Sequence, residues 1–290
     1  MFNGSAVAIA TPFKDKKVDL EGFKRLINFQ IENDTQAIIV LGTTGEASTI
    51  NYEEREEIIK TAIEEVDKRV PVIVGTGSNN TDVTIAYNKQ AENLGADGLL
   101  IVTPYYNKCT QNGLIEHYKQ IAKFTSLPII LYNVPGRTGF NIQPTTVQRL
   151  SEVENIVAIK EASGNIAQVL EIKRLVSDDF KIYSGNDDNI LPVYSCGGHG
   201  VISVLANIAP KETQAMCRAF EEGNIKESIR LQVMYKQLIN LIFVEVNPIP
   251  IKAALNAMGY IENELRLPLT PMEDKNREKL IEEMKKLGII

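Results

Sequence analysis

The sequence is poor in the features that mark secreted, membrane-spanning or disulfide-rich proteins. Its three cysteines, Cys109, Cys196 and Cys217, are odd in number and widely spaced, which argues against a disulfide framework. No apolar run approaches the length of a membrane-spanning helix, and no basic n-region or apolar h-region of a secretory signal follows Met1. These absences predict a cytoplasmic protein with reduced thiols.

Charge and histidine content argue against further classes of partner. The formal net charge is −6 at pH 7, so the chain lacks the basic surface that binds nucleic acid or an anionic membrane. His117 and His199 are isolated, and no cluster of histidine, cysteine and carboxylate side chains has the spacing of metal ligands. Gly75–Asn80 lacks the third glycine of a dinucleotide fingerprint. We therefore expect no nucleic acid, membrane, metal or other cofactor as a partner.

Strand-like and helix-like patterns alternate along the first two thirds of the chain. Asp19 is predicted to cap the first helix, and Asn51 with Glu54 the second. Eight such units are typical of a (β/α)8 barrel, or TIM barrel. A doubly wound parallel sheet is the rival architecture, although it rarely needs eight units. The predicted strands cover residues 6–11, 37–41, 70–74, 98–102, 128–132, 155–163, 181–184 and 200–205.

After Pro210 the pattern becomes wholly helical, with more helix than the last barrel unit requires. We predict a barrel over residues 1–222 and a C-terminal helical region over residues 223–290, packed on the barrel or on a neighbouring subunit. Four helices are predicted beyond Pro210. The first runs through residues 216–220, the second runs through residues 229–243, and the third follows residues 247–250. The last begins at Thr270, with Pro271 at N1 and Glu273 at N3.

In the sixth predicted strand segment, the apolar run ends on Lys160, close to the small residue Ala162. Burial would disfavour the ammonium form, whose usual pKa is roughly 10.4, and would make a neutral amine accessible. Such an amine attacks a carbonyl carbon and forms a Schiff base. The alternative is a strand-end lysine that reaches into solvent. Alternation places Ile156, Ala158 and Lys160 on one side of the strand, and Val157, Ile159 and Glu161 on the other.

Polar residues at other strand ends favour the catalytic interpretation, because a barrel builds its active site at the carboxyl ends of its strands. Thr43 and Thr44 lie in a turn whose N–H groups and hydroxyls suit a carboxylate. The Tyr132 phenol could transfer protons, and the Arg137 fork suits a substrate carboxylate. Each also has a structural interpretation: a simple turn, a core tyrosine, and a solvated surface charge. Tyr106 lies in the segment Thr103-Pro-Tyr-Tyr106, which follows the predicted strand over residues 98–102.

Six segments, taken in order, resemble those of the dihydrodipicolinate synthase family, within the pyruvate-dependent aldolase/lyase superfamily that also holds N-acetylneuraminate lyase. The resemblance covers essentially the whole chain. The segments are Gly42-Thr-Thr-Gly-Glu46, Thr103-Pro-Tyr-Tyr106, Tyr132-Asn-Val-Pro-Gly-Arg-Thr-Gly139, Ile159-Lys-Glu-Ala162, Ser184-Gly-Asn-Asp187 and Asn247-Pro-Ile-Pro-Ile-Lys252.

The resemblance implies that pyruvate binds Lys160 as a Schiff base, with its carboxylate held by the Thr43-Thr44 turn. Thr43, Tyr132 and Tyr106 match the proton relay of the family, with Tyr106 reaching in from a neighbouring subunit. This arrangement implies at least a dimer, and the family suggests a homotetramer built from tight dimers.

Further matching positions concern the second substrate and the pyruvate pocket. Arg137 matches the residue that receives the carboxylate of L-aspartate 4-semialdehyde, and Gly185 and Ile202 match positions that line the pyruvate pocket. The implied reaction is the condensation of pyruvate with this aldehyde to give 4-hydroxy-tetrahydrodipicolinate, in diaminopimelate and lysine biosynthesis.

Two other functions stay open at the level of sequence. The nearest is cleavage of N-acetylneuraminate or of a 2-keto-3-deoxy sugar acid, against which Arg137 in its Gly-Arg-Thr-Gly setting argues. The other is a non-catalytic barrel that only binds a keto acid.

Lysine-sensitive members of the family bind lysine at the dimer interface. Here Arg55 and Val83 depart from the histidine and the acid expected in sensitive enzymes, so we predict weak or absent inhibition by lysine. The corresponding positions are Ala47, Ser48, Tyr52, Arg55, Asn79, Val83 and Tyr105.

Overall fold

The structure, a computed structural model, describes residues 1–290 and contains eight parallel strands in a closed barrel. The first strand pairs with both the second and the last, which closes the ring and confirms the predicted (β/α)8 barrel over a doubly wound open sheet. The strands are β1 Gly4–Ala8, β2 Ala37–Val40, β3 Val72–Gly75, β4 Gly98–Val102, β5 Ile129–Asn133, β6 Ile156–Glu161, β7 Lys181–Ser184 and β8 Gly200–Ser203.

Thirteen α-helices surround and extend the barrel. A hairpin of two short strands, Phe13–Lys14 and Lys17–Val18, follows β1. No helix is both long enough and apolar enough to span a bilayer. The helices are α1 Leu20–Glu32, α2 Tyr52–Val66, α3 Thr81–Leu94, α4 Gln111–Ala122, α5 Pro135–Thr138, α6 Pro144–Ser151, α7 Ile166–Leu175, α8 Ile190–Ser195, α9 Pro210–Glu221, α10 Ile225–Met234, α11 Lys236–Leu241, α12 Ile249–Ala257 and α13 Asp274–Lys286.

The first two helices begin at the predicted caps. The Asp19 side chain accepts a hydrogen bond from the Gly22 N–H at 2.9 Å. Asn51 Oδ1 accepts from the Glu54 N–H at 2.9 Å, and Glu54 Oε2 accepts from the Asn51 N–H at 3.1 Å. These bonds satisfy N–H groups that have no partner inside the helix.

The alternation predicted for β6 is wrong at its first two residues. Ile129 pairs with Ile156, but the next residue of β5 pairs with Ala158, so Val157 is skipped. This bulge places Ile156 in the outer core and Val157 against the inner cluster. Ala158 and Lys160 lie on the inner side, as predicted.

The core has two layers, as is usual for a closed barrel. An outer layer lies between strands and helices, and a smaller inner cluster fills the barrel. At the amino end of the strands, Phe2 stacks on Tyr183, with ring centroids 4.3 Å apart. Small inner residues, among them Ala8 and Ala158, leave space towards the opposite end.

Two predictions for the C-terminal helices are wrong. The helix expected over 229–243 is interrupted at Tyr235, which is buried in the outer core. The last helix begins at Asp274 rather than near Thr270, because Met272 is buried in the core and the Glu273 N–H donates to Glu245 Oε1 at 3.2 Å. The Thr270 side chain therefore caps nothing.

Candidate active site

A small cavity of about 60 Å³ opens at the carboxyl ends of the barrel strands. Its lining residues lie in or shortly after β1, β2 and β4 to β8, and Phe243 and Asn247 come from the C-terminal region. Six of the eight predicted site residues meet in this cavity: Thr43, Thr44, Tyr132, Arg137, Lys160 and Gly185.

Lys160 lies inside the cavity and is only 5% exposed, so the alternative of a lysine in bulk solvent is wrong. Its Nζ lies 4.5 Å from the centroid of the Tyr132 ring. Lys160 and Tyr132 are also neighbours in the pairing of β5 with β6. The closed sheet therefore sets their relative position, and no carboxylate neutralises the amine through an ion pair.

Gly185 provides the space that Lys160 occupies. A Cβ placed on Gly185 would lie 3.1 Å from Lys160 Cε and 2.6 Å from Ala162 Cβ. The second distance is shorter than real Cβ contacts allow. A residue with a side chain would therefore displace the lysine or its neighbour.

Asn247 joins the two groups predicted to bind carboxylates. Its Nδ2 donates to Thr44 Oγ1 at 3.0 Å, and its backbone oxygen accepts from Arg137 Nη2 at 3.2 Å. Since Thr44 Oγ1 accepts this bond, its own hydrogen is free to donate to a ligand. Asn247 Oδ1 has no partner, although the residue is 5% exposed.

A buried ion pair holds the turn that carries Thr43 and Thr44. Lys252 Nζ lies 2.7 Å from Glu46 Oε1 and donates to the Thr11 carbonyl oxygen at 3.0 Å, with both charged side chains buried. Burial lowers the pKa of Lys252, and the negative charge of Glu46 opposes that shift. Glu46 Oε2 also accepts from the Arg266 N–H at 3.1 Å.

Asp187 joins the ends of β7 and β8 beside the cavity. Its carboxylate accepts hydrogen bonds from the Ser203 hydroxyl, from the Val204 N–H at 3.1 Å and from the Leu205 N–H at 3.0 Å. Burial raises the pKa of Asp187, whereas these bonds and the charge of Lys160 act in the opposite direction.

The remaining two predicted residues do not line this cavity. Ile202 is fully buried in the inner cluster. Tyr106 is 86% exposed and has a left-handed backbone, with φ 68°. Its side chain therefore points away from the cavity of its own chain.

Sequence reasoning missed three residues that hold the site together: Asn247, Glu46 and Lys252. All three lie in segments that carry the family resemblance. Their partners, however, lie about two hundred positions away in the chain, with separations of 203 for Asn247 and Thr44 and 206 for Lys252 and Glu46. No local pattern could pair them.

A second, larger cavity of about 510 Å³ adjoins the first and shares Thr43, Tyr132 and Arg137 with it. Four of the seven positions that correspond to the lysine site of the family line this larger cavity: Ala47, Ser48, Arg55 and Tyr105. Tyr52, Asn79 and Val83 are not part of its lining.

Known proteins match the sequence of this chain over almost its whole length. The model of the Dihydrodipicolinate synthetase family matches residues 1–287. A protein of Alkaliphilus oremlandii (strain OhILAs) named 4-hydroxy-tetrahydrodipicolinate synthase is 66% identical over 290 residues, which is 100% of both chains.

Solved structures of the same family match closely. Dihydrodipicolinate synthase from Thermotoga maritima has a TM-score of 0.99 and 49% identity, and the match covers 100% of both chains. A monomeric dihydrodipicolinate synthase variant also has a TM-score of 0.99, with 48% identity over 100% of this chain and 98% of the other. The chain therefore belongs to the dihydrodipicolinate synthetase family.

Proposed function

We propose that the chain condenses pyruvate with L-aspartate 4-semialdehyde through a Schiff base on Lys160. The product would be 4-hydroxy-tetrahydrodipicolinate, an intermediate of diaminopimelate and lysine biosynthesis, and the enzyme a lyase. The observation that carries the proposal is the Lys160 amine, buried in a cavity at the carboxyl ends of the strands and free of any ion pair. Membership of the family supports the same activity.

The first half of the reaction forms the enamine. The Lys160 nitrogen attacks C2 of pyruvate, and the resulting carbinolamine loses water to give a protonated imine. Loss of a proton from the pyruvate methyl group then gives the enamine. Both steps move protons, and the Tyr132 hydroxyl is the proposed carrier, together with Thr43.

The second half forms the carbon–carbon bond and closes the ring. The enamine carbon attacks the aldehyde carbon, and the aldehyde oxygen takes up a proton. The amino group of the semialdehyde then attacks C2, closes the ring and releases the Lys160 amine. Each molecule of product therefore returns Lys160 to its starting state.

The two substrate carboxylates have separate proposed receivers. Thr44, whose hydroxyl hydrogen is free to donate, and the N–H groups of its turn would bind the pyruvate carboxylate. Arg137 lines both cavities and would bind the carboxylate of the semialdehyde at the passage between them. Gly185 gives the Schiff base its space. Ile202 would support the pyruvate pocket from the inner cluster.

We propose that a neighbouring copy of the chain completes the proton relay with Tyr106, in a tetramer built from tight dimers. Exposed Tyr105 and Tyr106 offer an aromatic surface for the first contact. Ile225, Ile229 and Val233 form an exposed apolar stripe on α10 that suits a second contact. Analytical ultracentrifugation would measure the mass. A Tyr106→Phe variant that kept full kcat would contradict the relay.

Borohydride trapping tests the central proposal. Incubation with pyruvate and borohydride should add the reduced pyruvate mass to the peptide that carries Lys160, and the Lys160→Arg variant should gain nothing. A barrel that only binds a keto acid would give no adduct. An adduct on another lysine would refute the assignment.

A coupled assay then separates this activity from the other aldolases. The enzyme should react with aspartate semialdehyde and pyruvate, and Arg137→Gln should raise the KM for the aldehyde. Turnover of N-acetylneuraminate at a comparable rate would favour the sugar-acid function instead. Weak or absent inhibition by lysine and a cytoplasmic location remain predictions.

A further inference from the structure

Four polar side chains form a closed hydrogen-bond network on the helix side of β5 and β6. This amide network consists of Asn133, Asn141, Glu161 and Gln168. Glu161 Oε2 accepts from Asn133 Nδ2 at 2.8 Å and from Gln168 Nε2 at 3.1 Å. Asn141 Oδ1 accepts from the same two groups at 2.8 Å and 3.1 Å, and its Nδ2 donates to Gln168 Oε1 at 2.8 Å. Each side chain is therefore bonded to two of the others.

The amide network is buried although it contains a carboxylate. Asn133 is fully buried, and Glu161 is 3% exposed. Glu161 Oε1 accepts a further hydrogen bond from the Ser163 N–H at 2.6 Å. No lysine, arginine or histidine lies within ion-pair distance of this carboxylate. A buried charge without a cation is costly, and an apolar contact between β6 and α7 would avoid that cost. The amide network therefore does more than pack the helix on the strand.

The amide network lies where the two strands that carry Tyr132 and Lys160 end. The bulge at Val157 shifts the pairing of β6 with β5 near the start of both strands. The first pair of residues therefore does not determine the register at the carboxyl ends. Beyond the bulge Tyr132 pairs with Lys160, and Asn133 pairs with Glu161. The bond between the side chains of Asn133 and Glu161 thus joins directly paired residues, one position beyond Lys160.

The register of β6 decides whether Lys160 reaches the cavity. A slip by one residue would turn every side chain of the strand to the opposite face. Lys160 would then leave the cavity and Glu161 would enter it. The amide network opposes such a slip, because its bonds to β5 and α7 hold Glu161 on the helix side.

We propose that Glu161 is a positioning residue, whose bonds to Asn133 and Gln168 fix the register that places Lys160 beside Tyr132. The inference rests on the proposed Schiff-base function, because it explains how the reacting amine is held 4.5 Å from the centroid of the Tyr132 ring. Glu161 lines neither cavity, so it contacts no substrate. It acts through the residue that directly precedes it in β6.

Kinetics of the Glu161→Gln variant test the proposal. An amide has one acceptor oxygen in place of two, so its NH2 group would face N–H donors and at least one bond would be lost. We expect kcat and the rate at which borohydride traps pyruvate on Lys160 to fall about tenfold or more, the order of loss for a small misplacement of a reacting group. The KM for the semialdehyde should not change, because Asn247 holds its proposed receiver, Arg137. Glu154→Gln makes the same change at an exposed position just before β6 and should leave both rates unchanged.

A double variant separates the positioning role from a general loss of stability. Adding Gln168→Glu to Glu161→Gln exchanges the two groups, so the amide at position 161 donates to a carboxylate at position 168 and the amide network closes again. Most of the lost kcat should return. Wild-type rates in Glu161→Gln, or no recovery in a double variant that is folded by circular dichroism, would overturn the proposal.

A further variant covers the case in which Glu161→Gln does not fold. Asn141→Ala removes the half-buried member of the amide network and leaves the bond between Asn133 and Glu161 in place. Its kcat should fall by a smaller factor, and an unchanged kcat would refute the positioning role. The wild-type adduct keeps the two proposals apart. If wild-type Lys160 traps no pyruvate, the proposed function fails and the inference with it. If it does and the variants trap pyruvate at the wild-type rate, only the inference fails.

Discussion

At the scale of single residues, the position of Lys160 depends on what its neighbours lack. Gly185 has no side chain and Ala162 has a short one, so the lysine fits inside the cavity beside the Tyr132 ring. An amine in that place is shielded from bulk water yet open to a small keto acid. The proposed Schiff-base chemistry therefore depends on the space around Lys160 as much as on its amine.

Gly185→Ala should impair Schiff-base formation. The added methyl group would lie within 3.1 Å of Lys160 Cε and would push the lysine out of line. We expect kcat/KM to fall about 10- to 100-fold, the order of loss for a small misplacement of a reacting group. Steady-state kinetics and the yield of the borohydride adduct measure the effect. Gly113→Ala is the control, because its Cβ would meet only ordinary contacts at 3.4 Å.

Asn247→Ala should raise the KM for both substrates. The substitution removes the Nδ2 donor to Thr44, and loss of the side chain frees the backbone that positions Arg137. We expect about a tenfold increase for pyruvate, in the range of one lost hydrogen bond. Asn240→Ala, at an exposed position of α11, should leave both KM values unchanged. Normal KM values in Asn247→Ala would show that the contact with Thr44 is without consequence.

At the scale of elements, the C-terminal region contributes Phe243 and Asn247 to the lining of the candidate active site. The start of α12 and the segment before it reach back to the turn after β2 through Asn247 and Lys252. The Arg266 guanidinium pairs with Glu54 at the start of α2 and stacks on Phe13, 4.4 Å from its ring centroid. We therefore propose that removal of residues 223–290 would disrupt the candidate active site.

Lys252→Met should destabilise the protein strongly. It leaves Glu46 buried without its counter-ion, which costs about 3–5 kcal/mol in comparable cases. Urea unfolding measures the loss, and the double variant with Glu46→Gln should recover much of it. Lys286→Met breaks an exposed pair and should change the unfolding midpoint little. Equal stability of Lys252→Met and the wild type would contradict a structural role for the pair.

At the scale of the whole molecule, one buried histidine, His117, links the free energy of unfolding to pH. His117 is largely buried and contacts Thr81 Oγ1 through Nδ1 at 3.0 Å. Burial lowers its pKa from 6.5 to about 4. Between these values the unfolded chain binds a proton that the folded chain does not, so stability falls as the pH drops from 6.5 to 4.

His117→Gln should reduce this pH dependence. The amide keeps a polar partner for Thr81 but does not titrate, so about 2 kcal/mol of the stability lost between pH 7.5 and pH 5 should be retained. Urea midpoints at pH 7.5 and pH 5 measure the change. Lys119→Gln, a substitution on the same helix that leaves His117 in place, should keep the wild-type dependence. An unchanged slope in His117→Gln would assign the effect to other groups.

Several features could be predicted from local sequence alone. Alternating apolar runs and helical patterns are sufficient to predict the (β/α)8 barrel, because hydrophobic periodicity and turn residues are properties of short stretches of sequence. The caps at Asp19 and Asn51 were predicted for the same reason. Since parallel strands end on one face of a barrel, Thr43, Tyr132 and Lys160 could be expected to meet there.

Only the tertiary structure decided what depends on distant contacts. The bulge that reverses Ile156 and Val157 arises from pairing with β5, and Met272 delays the last helix because it is buried in the core. The pairing of Lys252 with Glu46 likewise depends on how the chain folds back across the barrel. Sequence fixes which groups a chain carries, whereas packing fixes which of them are buried together.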